Sequence, residues 1–122
     1  MYADSDPMVM AYARALLTAS PPGSTGHIHA DLNDPGALLG MARASFDFTR
    51  PVAVLLMQVL GHIGDPRDGD HTALAVVGQI KDALPSGGCL AISEIADTEP
   101  ALNAALREYR QTGADPVPRA AT

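Results

Sequence analysis

Apolar residues follow two rhythms along this chain, short unbroken runs and stretches spaced every three or four residues, and the two alternate. Tyr2-Ala3 reads as the end of a strand, and a helix from Pro7 to about Ala19 follows. Asp6 supplies its N-cap and Pro7 its first helical position, where a missing N–H costs nothing. Val9, Ala13, Leu16 and Leu17 recur at helical spacing, and Ser20-Pro21-Pro22-Gly23 stops the helix. Gly26 to Ala30 predicts a second strand, and Asp34-Pro35 opens a helix to about Ala44. After Pro51 comes the strongest strand signal, VAVLLMQVL from Val52 to Leu60. It lacks polar alternation, which implies burial on both faces. Gly61 to Asp70 reads as a loop. A helix from about His71 to Leu84 sets Leu74, Val77, Ile80 and Leu84 on one face, and Pro85-Ser86-Gly87-Gly88 ends it. Cys89 to Ser93 is a strand, about Glu99 to Thr112 a helix, and residues 114–122 a fraying tail. This order makes residues 1–113 one α/β domain, which right-handed crossovers wind into a parallel sheet flanked by helices.

Composition sharpens this picture in two places. Hydrophobic residues make up 47% and charged residues 18% of the 122 positions, which suits a packed core. Only Tyr2, Tyr12, Tyr109, Phe46 and Phe48 are aromatic, so that core is built of aliphatic side chains and methionine. The formal net charge is −6 and Lys81 is the only lysine. Counterion release at a phosphate backbone needs clustered cations, so nucleic acid and anionic membrane are excluded as general partners. A small substrate held by one or two arginines is compatible with this balance. The single Cys89 excludes an intrachain disulfide, and its apolar setting, GGCLAI, predicts a buried, unreactive thiol. Val52 to Met57 is far shorter than the ~20 residues of a membrane helix, and MYADSD has no basic leader region. The expected location is cytoplasmic.

In doubly wound sheets, ligands bind beyond the carboxyl ends of the strands. Four segments fall there: Asp4-Ser5-Asp6, Asp31-Leu32, Met57 to His62, and Ser93 to Ala96. Asp4 offers two acceptor oxygens to the vicinal hydroxyls of a ribose, whereas Asp6 is assigned to helix capping. Asp31 can accept from an exocyclic adenine amine while the Leu32 N–H donates to a ring nitrogen. The alternative for Asp31 is a turn residue in Asp-Leu-Asn-Asp-Pro. A rival constellation is His27-x-His29-x-Asp31, three residues that share one face of a strand and can ligate zinc. It resembles the metallo-β-lactamase pattern H-x-H-x-D-H, but Leu32 stands where the last histidine belongs. His62, after the central strand, is a weak catalytic candidate as a general base, and Glu94 past the last strand has a similar claim. Asp65 to Asp70 lacks the order of a calcium loop and reads as a solvated turn.

Five segments, in order, carry a resemblance: YADSDPMVMAYARALL, HADLNDPGALL, RPVAVLLMQVLGHIGD, IKDALPSGGCLAISEIAD and LREYRQTG. Together they resemble the bacterial S-adenosylmethionine-dependent methyltransferase family first catalogued as a domain of unknown function, from Tyr2 to about Gly113. The resemblance implies a Rossmann-like class I methyltransferase fold with S-adenosylmethionine as cofactor. It implies Asp4 at the cofactor ribose, with Ser5 and Asp6 beside the adenine pocket. Asp31 and Leu32 match the adenine contacts, and Met57, Gln58 and Val59 the strand end lining the methionine half. The family's first strand with its G-x-G loop, and its final strands, have no counterpart here. The family's His-Phe after the central strand is Gly61-His62. The implied reaction is methyl transfer to a small-molecule acceptor, a direct displacement in which positioning dominates and a base is optional. Two alternatives stand beside it. One is a non-catalytic fragment whose exposed strand edges are covered by a second chain, such as another copy in a homo-oligomer. The other is a metal-dependent hydrolase using His27, His29 and Asp31.

Overall fold

Aspartate followed by proline starts the first two helices, and in both the carboxylate caps the first turn. Asp6 Oδ1 accepts from the Met8 and Val9 N–H groups at 2.7 and 3.4 Å, and Asp34 Oδ1 from Ala37 N–H at 3.0 Å. In this computed structural model the described residues are 1–17, 25–64, 71–95 and 99–110. They form β1 (Tyr2–Asp4), α1 (Pro7–Leu16), β2 (His27–His29), α2 (Pro35–Ser45) and β3 (Ala53–Met57). A 3₁₀ turn (Leu60–His62), α3 (His71–Ala83), β4 (Cys89–Ser93) and α4 (Pro100–Arg110) follow. The stop signal at Ser20 to Gly23, the Asp65–Asp70 turn and the 114–122 tail lie outside the described residues.

The strands pair in parallel, as the alternating order requires. β1 runs beside β2 from Tyr2↔His27 to Asp4↔His29, and β3 beside β4 from Ala53↔Cys89 to Met57↔Ser93. The expected single sheet is instead two two-stranded sheets. Each βαβ unit closes its own pair, and each of the four strands keeps one edge unpaired among the described residues. The two halves meet on the helical side, where α2 lies against α3.

The larger core lies between β3 and α3. Leu56, Leu60 and Ile63 are buried against Ala73, Val76 and Ile80, with Leu32, Val54, Val59, Val77 and Leu90 around them. The buried stripe of α3 is therefore Ala73, Val76, Val77 and Ile80, spaced i, i+3, i+4, i+7. Leu74, expected on that stripe, is 65% exposed, whereas Ile80 is 2% exposed. The same shift occurs in α1. Met10 is buried in place of the expected Val9, Leu16 and Leu17, because the short β1–β2 pair offers a narrow surface that one long, flexible side chain covers.

β3 also departs from expectation. It ends at Met57, and its residues alternate: Val54 and Leu56 turn toward α3, while Leu55 and Met57 are 64% and 56% exposed. Helix α3 covers one face, so the continuous apolar run does not mean burial on both. In-register neighbours in a parallel pair point the same way. Cys89, opposite Ala53, accordingly sits on the bare face and is exposed, not buried. Gly88 sets the start of β4, since a Cβ there would lie 2.8 Å from the Val52 carbonyl oxygen, the acceptor of Cys89 N–H. Among the described residues no helix is long and apolar enough to cross a membrane.

Candidate functional site

Parallel strands bring their carboxyl ends to one edge, and the acidic residues lie there. At the end of β1, Asp4 Oδ1 accepts from Asp6 N–H at 2.8 Å, which closes a tight turn before α1. Its second oxygen has no hydrogen-bond partner among the described residues. Asp6 is occupied by its cap, as expected. Ser5 is held from across the sheet: His29 Nε2 lies 2.9 Å from the Ser5 carbonyl oxygen. A carbonyl only accepts, so this bond needs the proton on Nε2. His27, two residue pairs earlier, stacks on Tyr2 with ring centroids 5.9 Å apart.

These contacts give the three residues of the His-x-His-x-Asp pattern separate surroundings. His29 is turned onto the backbone, His27 onto an aromatic ring, and Asp31 lies past the strand end in a turn of its own. Among the described residues no three His, Cys, Asp or Glu side chains converge to hold a metal ion.

At the end of β2, Asp31 Oδ1 accepts twice from Asn33, from its N–H at 2.8 Å and from Nδ2 at 3.0 Å. The turn reading of Asp31 is thus correct for one oxygen and leaves the other without a partner among the described residues. The Leu32 N–H is likewise unbonded among them, while its side chain is partly buried in the α3 core. Asn33, which sequence reasoning missed, also reaches the other half of the molecule, since its Oδ1 accepts from Gly64 N–H at 2.9 Å. Gly64 has φ +76°, and a Cβ there would fall 2.7 Å from Thr72 Cβ. Side chains are excluded from this backbone twice over.

The end of β3 is the most unusual backbone. Gln58 has φ +54°, the one non-glycine positive value among the described residues. Such a conformation costs about 1–2 kcal/mol and persists where the surroundings over-determine it. Here the Gln58 N–H donates to the Ser93 carbonyl at 2.6 Å, and two residues on the Leu60 N–H donates to Glu94 Oε2 at 2.7 Å. Glu94 is partly buried and also accepts from Ile95 N–H through Oε1 at 3.1 Å. Its role is to hold the turn after β3. Met57 and Gln58 are exposed at this strand end, and Val59 shares the apolar cluster with Leu32. No hydrogen bond joins Met57 or Gln58 to Asp4 or Asp31 among the described residues. His62 is exposed, with no side-chain partner among them.

Short parallel strands flanked by helices, with acidic residues at the strand ends, define a Rossmann-like α/β domain of methyltransferase type. The profile of the family described as S-adenosyl methyltransferase matches residues 1–121, and the chain belongs to that family. Among solved structures, it is similar to a protein of Thermobifida fusca described as a candidate methyltransferase, with 32% identity and TM-score 0.75. That match covers 98% of this chain and 43% of the other. A DUF574 family protein of Streptomyces avermitilis is similar at 30% identity and TM-score 0.78, with 99% of this chain and 45% of the other covered. The chain spans less than half the length of either structure. No curated protein matches it.

Proposed function

We propose that this chain carries the ribose–adenine half of an S-adenosylmethionine site and serves methyl transfer to a small-molecule acceptor. One observation carries the reading. On the Asp31–Leu32 turn, past a strand's carboxyl end, one carboxylate oxygen of Asp31 and the backbone N–H of the next residue, Leu32, both lack a hydrogen-bond partner among the described residues. Adenine presents an amine donor next to a ring-nitrogen acceptor, and that turn offers the complementary order. One unit earlier in the parallel pair, the Asp4 oxygen that has no partner among the described residues supplies an acceptor for ribose hydroxyls. When bound, the cofactor brings a methyl group on a sulfonium, and transfer is a direct displacement.

The remaining work belongs to the chain's own residues. Asp4 and Asp31 orient the adenosine end, Asp6 and His29 fix the turn that carries Asp4, and the Leu32 side chain, packed on the β3–α3 core, anchors the turn that carries Asp31. Met57 to Val59 are assigned to the methionine half, held by the Glu94 and Ser93 contacts. No residue is assigned as a base, and His62 takes no part in the geometry described.

Calorimetric titration of S-adenosylhomocysteine tests the reading. Asp4→Ala removes a charged acceptor worth about 1.5–3 kcal/mol, so affinity falls roughly 10- to 100-fold. An Asp4→Ala affinity equal to that of the unaltered protein sinks the ribose assignment.

A further inference from the structure

We infer that Asn33 is a positioning residue that sets the preference for a 6-amino over a 6-oxo purine; this rests on the adenine reading of Asp31 and Leu32. The argument starts from what an amide can do. Nδ2 only donates and Oδ1 only accepts, while a carboxylate only accepts and a backbone N–H only donates. Asn33 lies between one of each, Asp31 at 3.0 Å and Gly64 N–H at 2.9 Å. Its orientation is therefore fixed from both sides.

The consequence falls on Asp31. Two donors from Asn33, backbone and side chain, converge on the same oxygen, Oδ1. The carboxylate cannot swing without losing both, so Oδ2 is left as an acceptor in a fixed place on the turn that also carries the Leu32 N–H. An exocyclic amine satisfies that oxygen, whereas a 6-oxo group sets acceptor against acceptor. The far anchor is equally rigid. Gly64 presents its N–H from a left-handed backbone with Thr72 packed where a side chain would stand. Asn33 thus ties the discriminating carboxylate to the β3–α3 half of the molecule and not merely to its own loop.

Asn33→Asp is nearly isosteric. It keeps an acceptor for Gly64 N–H but replaces the donor facing Asp31 by a second carboxylate oxygen. Asn33→Ala removes both side-chain bonds and leaves the backbone N–H on Oδ1. The test is calorimetry on the full chain with S-adenosylhomocysteine and its 6-oxo analogue S-inosylhomocysteine, on variants whose circular dichroism matches the unaltered protein. The expected result is a preference for the 6-amino ligand that falls about tenfold or more in Asn33→Asp and by a smaller factor in Asn33→Ala. A residue that merely supported the fold would weaken both ligands equally, so an unchanged ratio in both variants overturns the inference alone. An unaltered protein that binds neither ligand, or both alike, overturns the adenine reading and the inference with it.

Discussion

Truncating Ile80 is a direct test of which face of α3 is the core face. Ile80 is 2% exposed and packs with Leu56, Leu60, Ile63, Ala73 and Val76. Ile80→Ala removes three buried carbons, a transfer loss of about 2.4 kcal/mol at about 0.8 kcal/mol each. A cavity that only partly collapses adds to this, and such truncations run to about 2–5 kcal/mol. We expect about 3 kcal/mol. With a urea slope of about 1–3 kcal/mol per molar, the unfolding midpoint falls by at least roughly 1 M. The matched control is Leu74→Ala on the same helix, where the side chain is 65% exposed. Its expected change is within about 0.5 kcal/mol, since surface truncation costs little and alanine favours helix. Urea unfolding followed by circular dichroism measures both. Equal losses for the two variants, or a larger one for Leu74→Ala, would refute the shifted stripe.

Two further outcomes follow from single contacts. Glu94→Ala removes the carboxylate bonded to Leu60 N–H and is expected to cost about 1–3 kcal/mol, with Glu94→Gln, which retains an acceptor oxygen, costing less; a neutral Glu94→Ala in thermal unfolding shows that the contact holds nothing. Asp47 receives the Thr49 hydroxyl and, secondarily, the Thr49 backbone N–H, which together hold its carboxyl below the ordinary 3.8. Because the folded value is depressed, the turn's stabilisation is present above that pH and is lost as pH falls through the lower folded value. Thr49→Ala should bring the carboxyl back toward 3.8 in an NMR titration, and an Asp47 already titrating there in the unaltered protein contradicts the contact.

Element identity was legible because local chemistry declares it. Asp6-Pro7 and Asp34-Pro35 start helices wherever they stand, and aliphatic runs such as Val54 to Met57 favour extended backbone. What escaped depends on neighbours. The choice between Leu74 and Ala73 for the core stripe is a rotation of one residue, decided by where α3 meets β3. The same contact decides that Leu55 and Met57 stay bare, though by composition they match Val54 and Leu56. At the site, the aspartates at the strand ends were visible, since their position follows from the fold. Asn33 was not, because its partner is Gly64, remote in sequence. Its local half, the Asp-x-Asn turn, was available as a signal. The left-handed Gln58 had no signal at all: nothing in glutamine announces it, and the Ser93 and Glu94 contacts that hold it come from another strand.

Two self-contained strand pairs have a consequence for how the molecule opens. Each pair is closed by one βαβ unit, so neither needs the other's strands to form. β1 and β2 share three residue pairs, while β3 and β4 share five and stand on the larger apolar cluster. Slow-exchanging amides should therefore gather in β3, β4 and α3, with β1 and β2 opening first at a lower free energy. Asp4 and Asp31 belong to the half that opens first. Leu32 and the Asn33–Gly64 bond, together with the packing of α2 on α3, are the seam where that half is fastened to the stable one.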